Sequence, residues 1–241
     1  MTDTLALAGQ RVAVIGGSSG IGFAVVQRAL AEGAEVVIGS SGPEKVKAAV
    51  ARSGGASGRV ADVTDEASLA AFFAATGRID HLVFTAGDWG ASHASGPLSQ
   101  LDIAAARDGT NVRFWGALAT IKHSLPHISE AGSITLTDGL LARRPRKGAA
   151  LASAFTGAIE HLVTALALDL APIRVNSVCP GLTLTEAMSQ FPAEMIDQMT
   201  AAQPVPRAGK AEELAQPYLY LMKSTYTTGQ VIVVDGGASI A

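Results

Sequence analysis

Apolar residues in this chain fall into two alternating patterns. Short, nearly continuous runs occur at Arg11–Ile15, Ala34–Ile38, Gly58–Asp62, His81–Phe84, Ser133–Thr137, Ile173–Val178 and Val231–Val234. Between them lie stretches whose apolar positions recur three and four residues apart, as in Ile21, Val25, Val26, Ala29 and Leu30. The first pattern predicts buried strands and the second amphipathic helices. Gly33 stands where a helix end favours a left-handed residue. Glu44–Ala51 restarts a helix, and Thr64-Asp65-Glu66 caps another with acids in its first turn. Longer helical patterns run over Asn111–Ser124 and Ala149–Leu170. Strands that are apolar throughout and alternate with helices predict an α/β, doubly wound fold: a seven-stranded parallel sheet flanked by helices on both faces. Ligands of such sheets bind beyond the carboxyl ends of the strands. Leu182–Pro206 is the least regular stretch and reads as a mobile flap over that site.

The first strand ends in Gly16-Gly17-Ser18-Ser19-Gly20-Ile21-Gly22 and leads directly into a helix. Gly16 permits backbone angles closed to other residues, Gly20 a close approach to a pyrophosphate, and Gly22 tight packing of helix on sheet. The helix start adds free N–H groups and the positive end of the helix dipole. The turn therefore predicts a nucleotide site.

Composition narrows the partners. The 241 residues are expected to form one domain over 1–241, and the net charge of −3, without a clustered basic stripe, argues against nucleic acid. The single cysteine, Cys179, cannot form an internal disulfide, and Met1–Leu5 lacks a signal-peptide pattern. No apolar run is expected to reach the length of a bilayer span, so the reading is a soluble, cytoplasmic protein with no membrane partner and no metal site.

The glycine turn, Asp62-Val63, Ala86-Gly87, Asn111, Ile173-Arg174-Val175-Asn176 running into Pro180-Gly181, and Thr228-Gly229-Gln230 with Asp235-Gly236-Gly237 occur in an order that resembles the short-chain dehydrogenase/reductases. The resemblance covers essentially the whole chain. It implies an NAD(P)(H)-dependent oxidoreductase acting on a small organic molecule, assembled as a homodimer or homotetramer through the helices beginning near Asn111 and Ala149. It also implies that Gly16, Ser18, Ser19, Gly20, Ile21 and Gly22 hold the phosphates, that Asp62 with Val63 meets the adenine, and that Ala86 and Gly87 lie beside the ribose. Pro180, Gly181, Thr183 and Thr185 then hold the carboxamide. A carboxylate about twenty residues past the glycines would select NAD, whereas this chain has Ser40 and Ser41 there, with Lys45 nearby. The expected cofactor is NADP(H) rather than NAD(H).

The resemblance breaks at the proton-transfer residues. The family's tyrosine and lysine positions fall on Ala152 and Thr156 and its serine on Gly139, so Asn111 alone of the four remains. The three tyrosines, Tyr218, Tyr220 and Tyr226, lie near the C-terminal end. Replacement candidates are Asp138, an acid if burial raises its pKa; Thr156, as a partial substitute for the lysine's ribose contact; Ser153; and His93. Arg143-Arg144-Pro145-Arg146-Lys147 is either an anion-binding loop or a solvated one. Trp89, Phe114 and Trp115 can wall a pocket, the last two more simply at a core or interface, and Cys179 is read as a small buried hydrophobe. An oxidoreductase with a changed proton relay is the expectation. The rivals are a dinucleotide-binding sensor or scaffold without chemistry, and a lyase or isomerase that keeps the dinucleotide as a structural or transient partner.

Overall fold

The computed structural model describes residues 6–87 and 96–241, so Trp89 and His93 lie outside the described residues. In chain order the elements are β1 Arg11–Ile15, α1 Gly20–Ala31, β2 Glu35–Ser40, α2 Pro43–Ser53, β3 Ser57–Val60, α3 Glu66–Thr76, β4 Ile79–Phe84, α4 Ile103–Asp108, α5 Gly116–Ser124, β5 Ile128–Thr137, α6 Ala150–Asp169, β6 Arg174–Pro180, β7 Thr183–Leu184, α7 Ala193–Thr200, β8 Gly209–Lys210, α8 Ala211–Lys223 and β9 Val231–Val234. Seven parallel strands form one sheet in the order β3-β2-β1-β4-β5-β6-β9. The order reverses between β1 and β4, and the crevice at that switch point is where this topology places a ligand.

Alternation along β1 divides the core. Val12 and Val14 enter a cluster with α1, α2 and α8, and Ala13 and Ile15 enter one with α3, α5 and α6. Both faces of the central strands are thereby buried, which is why their sequences are apolar without a polar phase. Helix α1 closes as expected at Gly33, with φ of 85°.

Three sequence expectations are revised. Asn111–Ser124 is not one uniform α-helix: it opens with a π-helical turn over Asn111–Trp115, in which the Trp115 N–H reaches back to the Thr110 carbonyl at 3.4 Å. Such turns widen the helix and are frequent at functional sites. The irregular stretch Leu182–Pro206 contains β7, which pairs with β8, and the short helix α7, which buries Thr200. Helix α6, at twenty residues, is long and apolar enough to cross a membrane by length and composition. It packs Ile159 and Val163 onto the sheet, and apolar length does not distinguish a bilayer span from a helix laid across a sheet.

The motif Arg174–Asn176 has a structural role at the last strand. Arg174, on β6, donates to the Leu221 and Ser224 carbonyls at 2.6 Å each and to Met222 O at 3.0 Å, closing the C-terminal end of α8. The Asn176 side chain donates to Thr227 O at 2.9 Å and accepts from Gln230 N at 3.0 Å, aligning the segment that enters β9. Replacing Arg174 by Met should lower unfolding stability by about 3 kcal/mol, since it leaves buried carbonyls without a charged donor. A urea-unfolding loss below about 1 kcal/mol would contradict this clasp.

Candidate active site

A cavity of about 690 Å³ opens at the carboxyl ends of β1, β2 and β4. Its phosphate end is defined by backbone too crowded for side chains. Gly16 has φ of 87°, and a Cβ there would lie 2.5 Å from Ala86 N; a Cβ on Gly22 would lie 2.3 Å from Gly16 O and 2.4 Å from Thr85 Oγ1. The start of α1 therefore sits directly over the β1–β4 junction with its N–H groups facing the cavity. Ser19, the residue preceding the helix, makes no capping hydrogen bond. The Gly20 N–H instead donates to Glu186 Oε2 at 2.8 Å. A donor set that already holds a carboxylate suits an anionic phosphate.

Of the residues expected to meet the cofactor, Gly16, Ser18, Ser19, Gly20, Ile21, Gly22, Ser40, Ser41, Asp62, Val63, Ala86, Gly87 and Thr185 all line this cavity. Ser18 and Ser40 share a hydroxyl hydrogen bond at 3.0 Å, and Lys45 joins the wall beside Ser41. Asp62 accepts the Thr64 hydroxyl and N–H at 2.7 and 2.9 Å, which holds its carboxyl below the usual value. The cap of α3 is Asp65, not Asp62. Pro180, Gly181 and Thr183 stand behind the wall: the Gly181 N–H donates to Val234 O, and the buried Thr183 hydroxyl donates to Gly181 O. They hold the loop from which Thr185 reaches the cavity.

Past Gly87, outside the cavity lining, Thr156 packs its methyl group where a Cβ on Gly139 would lie 3.2 Å away, while its hydroxyl donates to the Ala152 and Ser153 carbonyls. Arg113, from the π-helical turn, lies between Gly87 and Gly139. A Cβ on Gly87 would be 2.9 Å from its Nε, and one on Gly139 would be 4.0 Å from its Nη1. Asn111 is exposed at the start of the same turn and outside the cavity wall.

Asp138, just past β5, turns to the other side and is buried. Among the described residues its Oδ1 has no hydrogen-bond partner, and Ser177 Oγ donates to Oδ2 at 3.4 Å. Burial first, and then the nearby Glu160, push its carboxyl up to about 8. Asp138, Glu160 and Cys179 bring ligand atoms within 4.8 Å of one another. Because Arg143 already pairs with Glu160 at 2.8 Å and burial pushes the Cys179 thiol up, a proton shared by the two carboxyls suits the group better than a cation does. Tyr218 reaches the end of β5 from α8: its OH and Thr137 Oγ1 are 2.6 Å apart, and Thr137 lines the cavity.

The basic run is partly engaged, Arg143 with Glu160 and Arg144 with the Ala238 carbonyl. Phe114 packs against Phe155 and Trp115 edge-on, and Trp115 is 58% exposed. Arg113, Glu160, Glu186 and Arg52 were not singled out from sequence. Their relevance comes from contacts between segments far apart in the chain and leaves no local sign: Ser19 is by type a favoured cap, and only the structure shows its side chain unused.

The family model described as enoyl-(acyl carrier protein) reductase matches residues 15–239. The short-chain dehydrogenase/reductase fsr5 of Gibberella fujikuroi is 35% identical, over 98% of this chain and 96% of that protein. A crystal structure of a small-chain dehydrogenase in complex with NADPH superposes with a TM-score of 0.82 at 33% identity, covering 96% of this chain and 99% of that one. The MalC reductase/Diels-Alderase of Malbranchea aurantiaca superposes with a TM-score of 0.87 at 30% identity, covering 96% and 97%. With the glycine cradle, the sheet order and these relatives in agreement, the chain belongs to the short-chain dehydrogenase/reductase family, oxidoreductases whose fold binds nicotinamide dinucleotides.

Proposed function

We propose that this protein is an NADP(H)-preferring oxidoreductase, one domain over residues 1–241, that moves hydride to or from a small organic molecule through a proton relay unlike the family's. The observation that carries this reading is an asymmetry between this cavity and the residues that flank it past Gly87. The dinucleotide end retains its crowded glycines, its helix start and Asp62, whereas Gly139, Ala152 and Thr156 occupy the positions the resemblance assigns to serine, tyrosine and lysine. The relatives named as dehydrogenases and reductases favour chemistry over a sensor or scaffold role.

Bound cofactor supplies the hydride. The chain's residues do the rest: the start of α1 orients the phosphates, and Ser40, Ser41 and Lys45 leave room and donors for a 2′-phosphate where a carboxylate would repel it. Arg113 provides a fixed positive charge beside Gly139, where negative charge develops on a substrate oxygen. Asp138 holds its proton near Glu160, which stands one turn of α6 beyond Thr156. This arrangement suits an acceptor that needs little proton assistance, such as a quinone-like or iminium carbon. The exposed Trp115 and Leu168 on the α5 and α6 side support assembly with further copies of the chain in the cytoplasm.

Three measurements test the reading. NADPH at a hundredfold its Kd should stabilise the fold by about 2.7 kcal/mol and raise Tm by roughly 5–10 °C, with NADH giving a smaller shift at equal concentration; equal shifts would remove the NADP preference. Asp138 is protonated in the native state up to about pH 8 but ionises near 4 when unfolded. Its contribution is therefore complete below pH 4 and declines as pH rises towards 8. Asp138→Asn should abolish that decline in urea-unfolding stability between pH 5 and 8, and a profile parallel to the wild type would show that the pair stores no proton. Finally, Gly139→Ser, Ala152→Tyr and Thr156→Lys together should raise simple ketone reduction by about two orders of magnitude. Gly139→Ser alone should give no gain, because its Cβ presses on the Thr156 methyl; a folded, cofactor-binding triple variant without gain would refute the assigned register of α6.

A further inference from the structure

The contact between Gly20 and Glu186 joins residues 166 positions apart. Glu186 begins the 3-10 turn Glu186–Gln190, immediately after Thr185 at the end of β7. Its Oε2 takes the Gly20 N–H, and its Oε1 is 3.6 Å from Arg52 Nη1 at the last turn of α2. The other guanidinium nitrogen of Arg52 donates to the Ser18 carbonyl, and the Arg52 carbon lies 3.9 Å over the Phe23 ring. Arg52 is thus held against the glycine turn on two sides, with its charge directed at whatever anion occupies the Gly20 N–H.

We infer that Glu186 is a resident stand-in for the cofactor's pyrophosphate, and that Arg52 is a phosphate-binding residue that passes from Glu186 to the pyrophosphate when the dinucleotide enters. The inference rests on the reading that this cavity takes a dinucleotide, not on which dinucleotide. Three observations argue against a purely structural cap. The local capping position, Ser19, is unused. The carboxylate comes from a segment whose Thr185, Glu186, Ala187 and Gln190 line the same cavity. The carboxylate also faces a cation that is held independently by the Ser18 carbonyl and the Phe23 ring, so that removing the carboxylate leaves Arg52 beside an open anion site. One N–H cannot serve both the carboxylate and a phosphate oxygen, so binding must move Glu186 and with it the segment after Thr185. A carboxylate and a phosphate competing for the same donor and the same guanidinium also weaken the apparent affinity by the strength of the contact displaced.

Both side chains are about half exposed, so substitutions should leave the fold intact. Calorimetric Kd values for NADPH and NADH with the full chain, for the wild type, Glu186→Gln, Arg52→Gln and the double variant, provide the test. Glu186→Gln should bind both cofactors about three- to tenfold more tightly, and Arg52→Gln placed on the Glu186→Gln background should weaken both by a similar factor. A purely structural cap would leave Kd unchanged or weaken it on loss of Glu186, and either result overturns the stand-in. No effect of Arg52→Gln on that background, or an effect confined to NADPH, overturns the pyrophosphate role. The wild-type ratio of NADPH to NADH affinity decides the cofactor preference separately and should not move in any variant. If the wild type binds neither cofactor but Glu186→Gln binds both, the stand-in is supported in an extreme form; if neither protein binds either, the dinucleotide reading falls together with this inference.

Discussion

The close approach of Gly22 to Gly16 is the constraint on which the rest depends. With 2.3 Å between a would-be Cβ and a carbonyl oxygen, no side chain fits, and the helix can begin only where the strand has just ended. That fixes the direction of α1 and places its first turn over the junction of β1 and β4. Thr85 completes the same contact from β4, its hydroxyl donating to Ile15 O at 3.2 Å. The phosphate end of the crevice therefore arises from the packing of three backbone segments. Polar groups thereby gather at the ends of strands that are largely apolar.

Past Gly87, beside the cavity, the physical logic is different. Positive charge there comes from Arg113 on a widened helical turn, not from a lysine on α6, and the acidic group nearby is a carboxyl that burial keeps neutral. A guanidinium does not give up its proton near neutral pH, so it can stabilise negative charge but cannot serve as the acid. On the proposed reading, the two tasks combined in a tyrosine–lysine pair are divided between a permanent cation and a stored proton. Tyr218 does not reunite them, because burial drives its hydroxyl well above the ordinary phenol value.

Much of this was legible in the chain. The inner strands could be read because they are buried on both faces, and the glycine turn because its residue types answer a backbone requirement. Strand limits shifted by a few residues: β5 starts at Ile128, ahead of the apolar run at Ser133, because its first half is partly exposed and polar. Asp138 could be named as a candidate acid from its position, but not its partner Glu160, since that pairing needs the tilt of α6 across β5. Pro180, Gly181 and Thr183 match a motif by type, yet backbone direction sends them behind the wall that Thr185 reaches. The π-helical turn at Asn111 gave no periodic sign: one extra residue in a helical turn rotates the face that α5 presents without changing the composition of α5.

The sheet's two outer strands differ in kind. At one side β3 reads Ser-Gly-Arg-Val, short, polar and interrupted by glycine; at the other β9 reads Val-Ile-Val-Val, all β-branched and half-buried along its length. An open strand of the second kind is a template for adding a foreign strand, whereas one of the first kind discourages it. The side chains of Arg174 and Asn176 keep β9 seated in register, so loosening them would release the segment of this molecule best suited to pair with its neighbours. Damage at that end should therefore show itself first as loss of solubility, before the glycine cradle is disturbed.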